Sequence, residues 1–327
     1  MSREVRLGLV GATTTLGQEI ASVLVDQADL TLAELRAFAD SGNDDEFGEF
    51  EGLMPLPSSP GDLAGLDMVF LASSPQLALD EIRSALKAEI PCIDCSGALL
   101  ESEEVPLLVV GDGDPPSVWS APLVSAPTDA SLAWVRVLRI LEGEVGVEAV
   151  SGTVLHSASL AGRAGIEELS AQTLALLSQG EAPDPAIFAA PVAFDCFPHP
   201  TEESEAGLAR SLARILGRAL RVSVLSIQVP AFAGEGSVLS VTTRDPVKAE
   251  QAALWFEAAP GVSCVSDTGA ASTRETVGSA DVALARLRND ASASDPERHL
   301  QMWLSADPVR QAAENAVALM RARLSVH

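Results

Sequence analysis

Apolar and polar positions alternate along this chain in two rhythms. Val5, Leu7, Leu9 and Val10 mark a short strand over residues 5–10. After the turn Gly11-Ala12-Thr13-Thr14-Thr15-Leu16-Gly17, Ile20, Val23 and Leu24 recur at helical spacing. Strand, glycine-bearing turn and helix in that order is how a nucleotide-binding sheet begins. The pattern then predicts strands over 32–39, 66–72, 90–95, 105–110 and 119–124, with a helix over 77–87. Strands that alternate with helices predict a parallel, doubly wound sheet.

The stretch Ser125-Ala126-Pro127-Thr128-Asp129-Ala130-Ser131 closes this pattern. Pro127 bars helix before it, Thr128 or Asp129 can cap a helix after it, and Leu132, Val135, Leu138 and Leu141 predict that helix over 130–141. A loop that enters a helix N-terminus favours an anion and, at the mouth of a sheet, commonly presents a nucleophile. Here it presents the carboxylate of Asp129. Beyond Leu141 the rhythm changes. Strands are expected over 145–155, 222–229, 237–243 and 262–265, and helices over 166–177, 204–216 and 246–258. Residues 179–200 are proline-rich and irregular, residues 290–296 form a polar low-complexity loop, and a terminal helix covers 312–324. This mixed order predicts an α+β second domain whose sheet is largely exposed or partnered.

Composition narrows the function classes. The chain has 327 residues, 47% hydrophobic, with no apolar run long enough to span a bilayer, so a soluble two-domain protein is expected. Lys+Arg 21 against Asp+Glu 46 gives a net charge of −25, which argues against nucleic-acid and anionic-membrane partners. The start runs straight into a strand rather than a signal peptide, and there are four cysteines, so the expectation is a cytoplasmic protein without disulfides. Cys92 and Cys95 are spaced like a C-x-x-C pair but lie on a strand, where residues three apart face opposite ways; they read as buried and inert. Cys196 and Cys264 are isolated and read as packed.

Five segments, in order, carry a resemblance over essentially the whole chain. They are the turn from Gly11 to Glu19, Ile93-Asp94-Cys95-Ser96-Gly97-Ala98, Val105-Pro106-Leu107-Leu108-Val109, the run from Ser159 to Leu169, and Val229-Pro230-Ala231-Phe232-Ala233-Gly234, followed by Ala306-Asp307-Pro308-Val309-Arg310 at the end. The chain resembles the aspartate-semialdehyde dehydrogenase family. That resemblance implies a Rossmann-like NAD(P)-binding domain over residues 1–130, with the helix from 307–327 packed back onto it, and an α+β dimerisation domain over 131–306. It also implies a homodimer. The cofactor-binding residues would be Gly11, Thr13, Thr14, Thr15 and Leu16.

Family members reduce aspartyl phosphate with NADPH through a cysteine thiolate, a histidine, a glutamine and substrate-gripping arginines. At the matching positions stand Asp129 for the cysteine, Glu235 for the histidine, His156 for the glutamine, Gln228 for the carboxylate-binding arginine and Leu100 for a phosphate-binding arginine. A carboxylate forms no thioester, and two lost cations with two gained carboxylates repel an anionic substrate. The chain is thus similar to the Usg-type paralogues that lack the catalytic cysteine, a pseudoenzyme whose partner would be another protein. Thr14 replaces a family glycine, which weakens the turn's approach to phosphate. Asp40, Asp44 and Asp45 after the second strand suit a ribose diol, so NAD fits at least as well as NADP.

Two other functions stay open. One is an NAD(P)-dependent oxidoreductase of altered chemistry acting on an aldehyde or acyl substrate. The other is a metal-assisted hydrolase or lyase in which Asp129, His156 and Glu235 converge, although nothing in their spacing demands a metal. Taken singly, Asp129 reads as a helix cap, Glu235 as a solvated turn carboxylate and His156 as a hydrogen-bonded histidine at a strand end.

Overall fold

The computed structural model describes residues 3–28, 30–39, 56–57, 62–110, 120–199, 202–216, 220–265 and 269–325. It divides into two compact units, Met1–Asp129 with Ala312–His327, and Ala130–Gln311. The elements of the first are β1 (Arg3–Val10), α1 (Thr15–Val25), β2 (Leu30–Ala39), β3 (Leu56–Pro57), β4 (Met68–Leu71), α2 (Pro75–Lys87), β5 (Cys92–Asp94) and β6 (Leu123–Ser125). There follow α3 (Ser131–Glu144), β7 (Val147–His156), α4 (Gly162–Leu177), β8 (Phe197–Pro198), α5 (Glu202–Ile215) and β9 (Arg221–Gln228). The chain ends with β10 (Glu235–Thr243), α6 (Ala249–Ala258), β11 (Val262–Cys264), β12 (Val282–Asn289), β13 (His299–Ala306) and α7 (Pro308–Ser325).

In the first unit six parallel strands run in the order β3-β2-β1-β4-β5-β6, the doubly wound arrangement of a Rossmann-like sheet. The two-residue period sorts its core. Leu7, Leu9, Met68 and Phe70 face Ile20 and Val23 of α1 and Val317 and Met320 of α7. Val10, Val69 and Leu71 face the opposite way, toward Ala78 and Ile82 of α2. Each such fully buried side chain contributes about 1.5–3 kcal/mol of transfer free energy, so this double-sided core holds the strand ends in place.

In the second unit the sheet order is β11-β12-β13-β10-β7-β9-β8, with antiparallel and parallel neighbours mixed. Helices α3, α5 and α6 pack against one another and the sheet. The strands also carry exposed apolar side chains, Leu225 and Val238 each about half accessible, and a cavity of ≈ 620 Å³ between Val238, Ser240, Arg288, Gln301 and Trp303. This is the open sheet expected from the mixed pattern.

Several expectations are corrected. Residues 105–110 form no strand. Leu107 makes a single bridge to Ser125, because Pro106 has no N–H to donate, and Asn315 holds the segment through Val110 N–H and Leu108 O. The strand read over 119–124 begins at Leu123. The stretch 282–306 carries two long strands that the pattern left unassigned. In β13 the signal was present, since Leu300, Met302 and Leu304 alternate with Gln301 and Trp303, whereas alanines and arginines blur β12. Cys196 and Cys264 are exposed rather than packed. No helix among the described residues is long and apolar enough to cross a membrane.

Candidate functional site

In the first unit the turn between β1 and α1 is a backbone device. Gly11 sits at φ +84, and a Cβ on it would meet the Ala72 backbone at 2.5 Å. A Cβ on Gly17 would lie 2.1 Å from Gly11 O, so helix and strand approach as they do only because both positions are bare. Thr14 between them is extended, at φ −72 and ψ 159, a conformation open to any residue. No positive φ is required at position 14. What Thr14 adds is its hydroxyl, which accepts from Gly17 N–H at 3.0 Å and lies 2.8 Å from Gly11 O and 3.0 Å from Ala72 O. Thr14 thus caps α1 with its own side chain, and the amides of Thr15 and Leu16 begin the helix without intrahelical partners.

A phosphate fits those two amides and the helix dipole; the amide of Gly17 is already taken. Asp40, Asp44 and Asp45 lie outside the described residues. Leu100, also in this unit, is half-buried in the turn after β5. The buried Asp94 pins that turn by accepting from Ser96 N–H at 2.9 Å and Leu99 N–H at 3.1 Å.

Asp129 is half-buried just ahead of α3. Ala130, directly before α3, is itself helical at φ −52 and ψ −18 and makes no side-chain cap hydrogen bond.

In the second unit the site is made by strand register. Leu155 pairs with Gly236, so one step further His156 of β7 comes opposite Glu235 of β10. On the other side of β7, His156 pairs with Gln228 of β9, and Gln228 pairs with Phe197 of β8. Four strands thus bring side chains from across 79 residues of sequence into one row. His156 Nδ1 lies 2.9 Å from Glu235 Oε2, and its Nε2 lies 3.2 Å from Ser226 Oγ. Gln228 Nε2 donates to His156 O at 3.0 Å and to Val229 O at 3.3 Å. His199 stacks edge-on against His156 with ring centroids 5.2 Å apart, and its backbone N–H donates to the backbone carbonyl of Ser226 at 2.8 Å.

Glu235 is 5% exposed, so the solvated carboxylate expected in a turn is corrected. Its position follows from Gly234, whose φ of +79 swings the chain into β10 and whose missing Cβ leaves room for Thr273 O. His156, in contrast, is the hydrogen-bonded histidine at a strand end that was expected. Burial pulls the His199 pKa below its usual value, the neighbouring His156 adds to that, and Glu205 acts the other way.

Ser226 and Glu205 escaped the reading of the sequence, and His199 was read only as part of the irregular loop. Ser226 could have been found, since it lies two residues before Gln228 and so shares its face of the strand. Glu205 accepts from Ser226 N–H at 2.7 Å and locks that strand further. The Ser226–His156–Glu235 line has the order of a nucleophile, a base and an orienting acid, but Ser226 is 2% exposed within the sheet, so an acyl group has no route to its Oγ. Both His156 nitrogens face protein partners. Among the described residues no group of three or more His, Cys, Asp and Glu side chains is placed to hold a metal ion.

Beside this row lies a pocket of ≈ 260 Å³ lined by Leu160, Ile187, Phe188, Phe197, His199 and Gln228 with two alanines. Its irregular wall is held by α4. Glu168 accepts from the N–H groups of Ala186 at 2.9 Å and Ile187 at 2.7 Å, and the fully buried Gln172 accepts from Val192 N–H at 2.8 Å.

Residues 6–111 match the family model for the semialdehyde dehydrogenase NAD binding domain, and residues 138–311 match that for the semialdehyde dehydrogenase dimerisation domain. An aspartate-semialdehyde dehydrogenase of Rickettsia bellii is 28% identical over 342 aligned positions, covering 98% of this chain and 97% of the relative. Aspartate semialdehyde dehydrogenase II of Vibrio cholerae superposes with a TM-score of 0.91 at 24% identity, covering 99% of both chains. A probable aspartate-semialdehyde dehydrogenase of Pseudomonas aeruginosa superposes at 0.90 with the same identity, covering 98% of this chain and 99% of that one. With the dimerisation-domain model spanning more than half of its 327 residues, the chain belongs to the semialdehyde dehydrogenase family.

Proposed function

We propose that this chain is a family member that keeps the dehydrogenase fold for binding and has given up the acyl-transfer reaction. The observation that carries this reading is the thiol inventory. The turn ahead of α3 offers Asp129 where the family resemblance calls for cysteine, and three of the four cysteines are shifted away from the thiolate. Burial pushes the Cys92 thiol up to about 12 and the Cys95 thiol higher still, and the exposed Cys264 is raised as well. A nucleophilic thiol needs the opposite shift.

The other positions support the same reading. Glu235, at the family's histidine position, is engaged by His156 and is no free base. Gln228 and Leu100 stand where cations would grip the substrate. A phosphorylated dicarboxylate meets no compensating charge there, and an anion desolvated without a partner is strongly disfavoured. The dimerisation-domain match and the open sheet with Val238 and Leu225 exposed support a homodimer through that face.

A second reading, an NAD(P)-dependent oxidoreductase of altered chemistry on an aldehyde or acyl substrate, is favoured by the bare positions Gly11 and Gly17 and the NAD-binding match. In that case the amides of Thr15 and Leu16 would hold the pyrophosphate, with Gly11, Thr13 and Thr14 shaping the turn, and the bound dinucleotide would supply a hydride acceptor. Calorimetric titration of the purified protein with NAD and NADP, beside an assay of aspartate-semialdehyde oxidation in phosphate, separates the readings. Binding without turnover supports the second, and neither binding nor turnover supports the first. Turnover would overturn both, because it requires a nucleophile that Asp129 does not provide. Asp129→Cys alone is expected to leave turnover absent, since Gln228 and Glu235 remain.

A further inference from the structure

The pocket beside Gln228 has a size, a lining and one unanswered hydrogen-bonding atom, and together these specify a ligand class. Its volume of ≈ 260 Å³ is small for a ligand site. An apolar cavity of about 150 Å³ holds benzene, so there is room here for one six-membered ring and a short substituent. The walls are Leu160, Ile187, Phe188 and Phe197, and among the described residues no lysine, arginine, aspartate or glutamate lines it. An ion entering this space would lose its hydration without gaining a counter-charge. His199, which also lines the pocket, does not alter that, because burial holds its imidazole toward the neutral form.

Gln228 supplies the polar end. It is 2% exposed, and its Nε2 spends both protons on the carbonyls of His156 and Val229. Two carbonyl partners can be met only by the amide nitrogen, so the orientation of the carboxamide is fixed and the oxygen is left as acceptor. No donor among the described residues reaches Oε1, and this oxygen is not among the sealed, unpartnered side-chain atoms of the molecule. Gln228 lines the pocket, so the donor for Oε1 arrives through it. The wall opposite is set in advance, because Glu168 and Gln172 hold the backbone of 186–193, and a ligand pays little to order it.

We infer that this pocket binds a small uncharged molecule with a ring-sized apolar body and one N–H or O–H donor, the donor on Gln228 Oε1 and the body against Phe188, Phe197 and Leu160. The inference deepens the binding role proposed above by naming the ligand class. It is read without cofactor or turnover, so the two fail separately.

The test is a titration of the full-length protein, by calorimetry or ligand-observed NMR, with three probes of one shape: phenol, toluene and benzoate. Phenol is expected to bind, toluene about fivefold more weakly for want of one hydrogen bond, and benzoate not at all. Gln228→Leu should erase the difference between phenol and toluene, and Ala189→Phe, which fills the pocket from its wall, should abolish binding of both while leaving Gln228 intact. Equal affinity for phenol and toluene in the unaltered protein, binding of benzoate as tight as that of phenol, or phenol binding that survives Ala189→Phe would each overturn the inference. Dehydrogenase turnover in the same preparation would overturn the proposed function and leave the pocket result standing.

Discussion

The turn in the first unit and the strand row in the second are both candidate binding devices, built from opposite materials. Between Gly11 and Gly17 the backbone does the work, with two bare positions, a helix N-terminus and the short side chain of Thr14. Between Glu235 and His199 the backbone is ordinary sheet and the side chains do the work: Glu235 and Ser226 hold the two ring nitrogens of His156, and His199 packs edge-on against that ring. A backbone device tolerates any chemistry around it but no added atom within it. A side-chain device tolerates changes in volume but not the loss of a partner.

The sharpest way to break this contrast is to add one carbon to the turn. In an ordinary helix Gly→Ala is stabilising. Gly17→Ala is expected instead to destabilise the protein by about 3 kcal/mol in urea unfolding, because the new Cβ meets Gly11 O, a backbone atom that cannot swing aside. A neutral or stabilising result would mean that the turn opens easily, and the tight approach of helix to strand would no longer describe it.

The row should fail by subtraction. Glu235→Ala leaves the buried Nδ1 of His156 without its partner and is expected to cost about 2 kcal/mol. The double variant with His156→Ala should cost less than the sum of the two single changes, since the partner left stranded by one is removed by the other. Strict additivity in that cycle would mean that the pair is adjacent without being coupled.

The smallest effect concerns pH. Because His199 has a pKa below its usual 6.5, the unfolded chain binds more protons than the folded one once the pH drops. Stability from this group is present above about pH 6.5 and is lost as the pH falls through that value toward the lower folded pKa. His199→Gln should flatten the slope of unfolding free energy against pH in that window, and an unchanged slope would show that the imidazole is no more buried than in the unfolded chain.

The first device was largely legible before any coordinates, and the second was not. Gly11 and Gly17 flank a turn of a few residues between a strand and a helix that local pattern already predicts, so their neighbours in space are their neighbours in sequence. Even there the sequence does not reveal that position 14 is extended and caps the helix. Cys92 and Cys95 followed from alternation along a strand, whereas Cys196 and Cys264, in segments whose neighbours are distant, were wrongly expected to be packed.

By itself the sequence determined the alternation of strands and helices, the doubly wound first unit, the α+β character of the second, the glycine turn and the absence of a thiol at Asp129. These rest on local periodicity and residue identity, which the chain carries wherever it folds. Only the tertiary structure decided that Glu235 is buried against His156, that Ser226 and His199 join them, and that Gln228 lines a small pocket beside them. Register across β10, β7, β9 and β8 makes those contacts, and a shift of one residue in any strand would turn its side chains to the other face. Register is set by the summed fit of whole strands against their neighbours, so it is written in no single segment of the chain.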